Sequence, residues 1–137
     1  MRAVKYIVVH HTATRADTSP ATIRMYHLKR GFSDVGYHYL ITADGRVHAG
    51  RDESRIGAHV KGYNAESIGV ALIGNFEKYP PSPQQWDSLL TLLAQLTARY
   101  NARVVWHSQL GRTACPGRYL RDKLERAFGD KPNAEYR

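Results

Sequence analysis

The chain has 137 residues, 42% of them apolar and 23% charged, which suits one globular domain with a single core. No window approaches the roughly 18 to 20 apolar residues of a membrane span. The formal charge of +8, from 20 Lys and Arg against 12 Asp and Glu, steers the surface toward polyanions such as nucleic acid, an anionic membrane or an acidic wall polymer. The basic residues are scattered, so charge alone does not choose among these, or between them and a basic surface without a partner.

The N-terminus, "MRAVKYIVVHHTAT", starts basic, but its apolar run is short and broken by histidines. It lacks the longer apolar segment and small-residue cleavage site of a signal peptide. Synthesis in the cytoplasm, without export by that route, is the expectation. Residues 4–10 form the first predicted strand, and alternation places His10 with Val8 on one face and His11 with Val9 on the other.

A helix follows in "TSPATIRMYHLKRG". Ser19 can cap it, Pro20 suits its first position and Gly31 ends it. Ile23, Tyr26, His27 and Arg30 share helical spacing, with packing or solvent exposure the expected role of His27. "YHYLITADGRVHAGRD" reads as a hairpin around Asp44-Gly45, which leaves His38 and His48 as sheet-surface residues.

The nearly continuous apolar run "SIGVALIGNF" (67–76) predicts a central strand covered on both faces. "SPQQWDSLLTLLAQLTARY" (82–100) is the strongest helix. Ser82 caps it, Pro83 opens it, Gln85 completes a capping box, and Trp86, Leu89, Leu90, Leu93 and Leu96 form its apolar stripe. Trp86 and Trp106 are assigned to the core. "ARVVWH" (102–107) is a short strand and "RYLRDKLERAF" (118–128) a last helix with Leu120, Leu124 and Phe128 on one face. The sum is a single α/β domain over 1–130, a central mixed β-sheet flanked by about three α-helices, with 131–137 as a C-terminal tail.

Seven histidines and one cysteine, Cys115, raise the question of a metal. A disulfide within the chain is impossible, so Cys115 is an apolar filler, a reactive thiol or a ligand. His10 and His107 each close a predicted strand, and the seven residues between His107 and Cys115 in "HSQLGRTACPG" can bring the thiolate back toward the imidazole. Two imidazoles and a thiolate suit tetrahedral zinc, and three protein ligands imply an open position for water. The competing reading is a core cysteine beside a strand-end histidine that caps backbone groups.

Four segments in order, "IVVHHTAT", "HLKRGFSDVGYHYLITADGRVHAGRD", "GAHVKGYNAESIGVALIGNF" and "HSQLGRTACPG", resemble the type-2 N-acetylmuramoyl-L-alanine amidases. That group includes peptidoglycan recognition proteins, and the chain is most similar to small amidase-type phage lysozymes. The resemblance implies zinc ligands at His10, His107 and Cys115 and a catalytic tyrosine at Tyr37. Position 113, two before the cysteine, is Lys in some phage enzymes and Thr in the catalytic recognition proteins; here Thr113 departs from the nearest phage pattern. Tyr37 and Thr113 are the implied groups to orient an oxyanion donor and relay a proton, Tyr37 being also the first candidate for the base. His59 and Asn64 fall where the family lines its substrate groove, although a Gly-rich turn with capping side chains accounts equally for each.

The implied activity is zinc-dependent hydrolysis of the amide between N-acetylmuramic acid and L-alanine in peptidoglycan, by a monomeric phage or prophage endolysin. Its basic surface would suit an anionic wall or outer membrane, and no nucleic acid is expected as partner. A cytosolic amidase recycling muropeptides and a non-catalytic peptidoglycan-binding module are the alternatives.

Overall fold

The computed structural model describes residues 2–129; the expected tail at 131–137 lies outside them. Among the described residues five strands form one sheet in the order β3-β2-β4-β1-β5. Strand β1 (Tyr6–His11) lies between β4 (Ser67–Leu72) and β5 (Arg103–Trp106), parallel to both. Strand β2 (Tyr39–Ile41) is parallel to β4 and antiparallel to the edge strand β3 (Val47–Ala49). The mixed sheet and single domain are as expected.

Among the described residues four α-helices accompany the sheet: α1 (Pro20–Lys29), α2 (Pro83–Tyr100), the single turn α3 (His107–Leu110) and α4 (Arg118–Phe128). The turn α3 is additional to the three expected, and His107 opens it rather than closing β5. The caps form as their chemistry dictates. Ser19 accepts from Thr22 N–H at 3.1 Å and Ser82 from Gln85 N–H at 3.0 Å, each just before a proline at the first helical position.

One expected cap is different. The Gln85 side chain does not complete a capping box; its amide nitrogen donates to Ile41 O at 2.9 Å and Ile73 O at 3.1 Å. Ile41 O already accepts from Ile73 N–H at 3.0 Å, so Gln85 is a second donor there, and it also serves Ile73 O just past β4, where an unpaired buried acceptor would be costly. Gln85 is itself buried and meets that demand.

The two faces of the sheet are built from different residues. On one face, Ile7 and Val9 of β1 and Ile68, Val70 and Leu72 of β4 pack against Leu89, Leu93 and Leu96 of α2 and Leu120 and Leu124 of α4. Leu92 joins this core while Leu90 is only half-buried, because the contact stripe is rotated slightly from the expected one. Trp106 is buried there, whereas Trp86 is half-buried with the Lys123 ammonium 4.9 Å from its ring centre. Phe128 is 37% exposed at the end of its helix.

The opposite face carries Tyr6, Val8 and His10 of β1, in register with Ser67, Gly69 and Ala71 of β4. The run 67–72 is therefore not uniformly bulky: every second residue is small. Those small side chains leave space above the centre of the sheet, and imidazoles occupy it. A Cβ at Gly69 would stand 2.7 Å from the His59 ring. His38, expected on the sheet surface, is fully buried; its Nδ1 accepts from Gly69 N–H at 3.0 Å and its Nε2 lies 2.8 Å from Arg55 O. His48 does remain half-exposed on β3.

Candidate metal centre

The end of β1 delivers His10 to the open face, where it is 1% exposed. Strand β5 runs parallel beside it and hands the chain to α3, so that His107 meets His10 with ring centres 4.8 Å apart. The loop after α3 returns toward β1 and brings Cys115 Sγ within 3.6 Å of His10 Nδ1. Gly117 ends this loop at φ 89°, and a Cβ there would strike the Phe76 backbone at 2.4 Å. A glycine is needed at that position to pass from the thiol into α4.

One donor atom from each of His10, His107 and Cys115 lies within 4.8 Å of the others. His11 points elsewhere. Its Nδ1 accepts from Phe76 N–H at 3.1 Å on the packed face, while its backbone N–H donates to Cys115 Sγ at 3.4 Å. The adjacent histidines thus divide as strand alternation predicts.

The donor set has the electrostatics of an N/S metal site. Burial, followed by the neighbouring imidazoles of His59, His107 and His11, holds His10 well below its usual 6.5. Burial likewise lowers His107. The Cys115 thiol is pushed up to about 12 by burial, with the His11 N–H opposing. Two neutral imidazoles with free lone pairs are ready to ligate, and a divalent cation would convert the thiol to thiolate. This set fits zinc in a three-ligand, open-position arrangement.

An open cleft of about 800 Å³ lies over these donors. Tyr37, just before β2, lines it with its ring centre 5.1 Å from that of His10. Burial, then the neighbouring Cys115, raises the Tyr37 phenol well above its usual 10, leaving a protonated hydroxyl that can donate. Thr113 is exposed on the same wall, and its hydroxyl accepts from Cys115 N–H at 3.2 Å. That leaves the hydroxyl hydrogen free for another acceptor. Arg30, Lys61 and Glu77 add charge to the cleft.

His59 and Asn64 also line the cleft, but several of their polar atoms are engaged within the protein. Asn64 Oδ1 accepts from both His59 N–H and Val60 N–H at 2.9 Å. His59 Nδ1 lies 2.8 Å from His10 Nε2, and its Nε2 lies 3.2 Å from Ser67 Oγ. Sequence reasoning did not foresee the His59–His10 contact, although the small residues of "SIGVA" are its signal. His27 is buried at the cleft edge, where its Nδ1 accepts from Gly36 N–H at 2.8 Å, a packing role as expected.

Known proteins resemble this chain in sequence and fold. The N-acetylmuramoyl-L-alanine amidase family matches residues 1–118. The endolysin of Klebsiella phage KP32 is 42% identical, with 80% of this chain and 78% of that protein covered. Among solved structures, the N-acetylmuramoyl-L-alanine amidase LysC from Clostridium intestinale URNW superposes with a TM-score of 0.87 at 34% identity, covering 95% of this chain and 88% of LysC. Peptidoglycan recognition protein-LE, solved in complex with the monomeric peptidoglycan tracheal cytotoxin, gives 0.84 at 31% identity, over 92% of this chain and 81% of that one. The chain belongs to the N-acetylmuramoyl-L-alanine amidase family.

Proposed function

We propose that this protein is a zinc-dependent endolysin that cleaves the amide joining the lactyl group of N-acetylmuramic acid to L-alanine in peptidoglycan. The observation that carries this reading is the convergence of His10, His107 and Cys115 at the floor of an open cleft, beside Tyr37. The two imidazoles and the thiolate would hold zinc, which supplies Lewis acidity toward the scissile carbonyl and a water acidified toward neutral pH.

The remaining work falls to the chain itself. Tyr37, kept protonated, donates a hydrogen bond to the oxygen on which negative charge develops. Thr113 orients that donor or passes a proton onward through its free hydroxyl hydrogen, the role for which some phage relatives use a lysine. The cleft wall formed by the loop around His59 and Asn64 contacts sugar and peptide. Charge on the rim, with Arg30 and Lys61, complements the carboxylates of a stem peptide, and the net charge of +8 suits an anionic wall or outer membrane.

The likeness to phage endolysins supports action on the cell wall; synthesis in a host cytoplasm and action as a monomer are part of this proposal. Among the described residues no helix is long and apolar enough to cross a membrane. A recycling amidase acting on soluble muropeptides would use the same chemistry, and the endolysin relatives favour the intact wall. A binding module without catalysis is the second reading, favoured by the ligand-bound recognition protein of similar fold. The presence of all three metal donors argues against it.

The test is digestion of purified sacculi with and without a chelator. Freed peptides beside intact glycan strands, abolished by the chelator and restored by zinc, are expected. Cut glycan strands would replace the amidase with a glycosidase, and binding without release would favour the module.

A further inference from the structure

We propose that His59 is a positioning residue for the metal centre: with Ser67 it forms a hydrogen-bonded relay that fixes the tautomer and ring orientation of His10. The proposal rests on the metal-dependent reading above and extends it to a histidine outside the donor set.

The geometry is specific. His10 presents Nδ1 to Cys115 Sγ at 3.6 Å and Nε2 to His59 Nδ1 at 2.8 Å. The far nitrogen of His59 reaches Ser67 Oγ at 3.2 Å. His10 and Ser67 are buried, at 1% and 0% exposure, so neither exchanges these partners freely with water.

Proton counting gives the chain one direction. A metal at His10 Nδ1 uses that lone pair and leaves the proton on Nε2. His59 Nδ1 must then accept, which places the His59 proton on Nε2, facing the Ser67 oxygen. A ligand imidazole held in this way is a stronger donor and loses less orientational freedom on binding metal.

Three features of the fold hold His59 for this role. Gly69 lacks the Cβ that would stand 2.7 Å from the ring. Ser67 and Gly69 are adjacent same-face positions on β4, opposite Tyr6 and Val8, four and two residues before His10 respectively. Asn64 clamps the backbone of the His59 loop through two hydrogen bonds of 2.9 Å. The relay therefore runs from the rigid centre of the sheet to the ligand.

The decisive experiment compares three substitutions at one position by zinc affinity, measured by competition against a chromogenic chelator on the full chain. In His59→Asn the side-chain oxygen can stand where Nδ1 stood and still accept from His10. In His59→Gln the amide reaches toward the former Nε2 and meets Ser67 instead. His59→Ala and His59→Gln are expected to weaken zinc binding by about 10- to 100-fold, and His59→Asn by less than about threefold. A packing role predicts the opposite order, since Gln is nearer His in volume. Equal affinities in all three variants, or Gln surpassing Asn, would overturn the relay.

Metal-free melting temperatures check that each variant folds. If none does, Ser67→Ala decides: weaker zinc binding supports the relay and unchanged binding overturns it. A wild-type chain that takes up no zinc would overturn the metal-dependent reading and the relay together. Zinc uptake by the wild type that none of the variants alters would overturn the relay alone.

Discussion

The two faces of the sheet use the same strands for opposite purposes. On the helix-covered face the strands present Ile, Val and Leu, and nearly every contact is apolar. On the cleft face the central strand is reduced to Ser67, Gly69 and Ala71, and the space is taken by His10, His38 and His59. Apolar burial supplies stability without needing one unique set of polar partners. A histidine layer must satisfy each ring nitrogen, so it contributes geometry more than stability. One face makes the domain stand; the other makes it specific.

Adjacent residues of β1 break this comparison most sharply. His10→Ala should abolish zinc uptake and wall lysis, read by metal content and turbidity of a sacculus suspension. His11→Ala should keep its zinc and lose stability instead, because Phe76 N–H would be left unpaired in the core, at about 1 to 3 kcal/mol. A reversal of the two phenotypes would overturn the division between the faces.

Next in size is Tyr37→Phe, which removes one hydroxyl from the cleft. Loss of an oxyanion donor costs on the order of 100- to 1000-fold in rate. Zinc content and melting temperature should match those of the wild type, and wild-type release of peptides from sacculi would remove Tyr37 from the mechanism. On the other face, Leu93→Ala should cost about 2 to 5 kcal/mol in denaturant unfolding, from a residue that is 1% exposed. The zinc affinity of the folded fraction should not change.

The smallest expected effect is pH-dependent and belongs to the margin of the packed face. Glu53 accepts hydrogen bonds from Tyr39, Tyr100 and Arg99, joining the loop after β3 to the end of α2. Desolvation raises its carboxyl, but these hydrogen bonds prevail and hold it below the usual 4.5. A depressed carboxylate adds stability above its unfolded value, and that stability is lost as pH falls through the folded one. The melting temperature of the wild type should exceed that of Glu53→Gln at pH 7, with the gap closing below about pH 4.5. Because Arg99 is 44% exposed, the gap should be modest and shrink in high salt. A gap that does not narrow at all as the pH falls below about 4.5 would rule out the ionic contribution.

The covered face was largely legible from the chain. Ser82 and Pro83 announce α2, its leucines recur at helical spacing, and Leu120 and Leu124 mark α4. Local signals suffice there because each contact stripe lies within one element. His10 and His107 were legible as strand-end polar residues, and the ordered motifs added Tyr37. Less legible were groups that serve a distant element. Gln85 sits where a capping box would use it, yet two carbonyls from other strands claim its amide. His38 looks like the outward member of a hairpin but is drawn inward by Gly69 N–H. The alternation of small and large residues in "SIGVAL" was hidden by its uniform apolarity, since a hydropathy reading does not register volume.

The sheet order has a further consequence for how the protein comes into being on the ribosome. Strand β1 is made first, yet both of its neighbours, β4 and β5, lie downstream of β2 and β3. Cys115 stands 105 residues after His10. Such distant pairings must wait for long loops to close, which slows folding. A nascent chain that has not yet released residue 115 cannot bring His10, His107 and Cys115 together, so the three donors meet only after these distant segments have folded back onto β1.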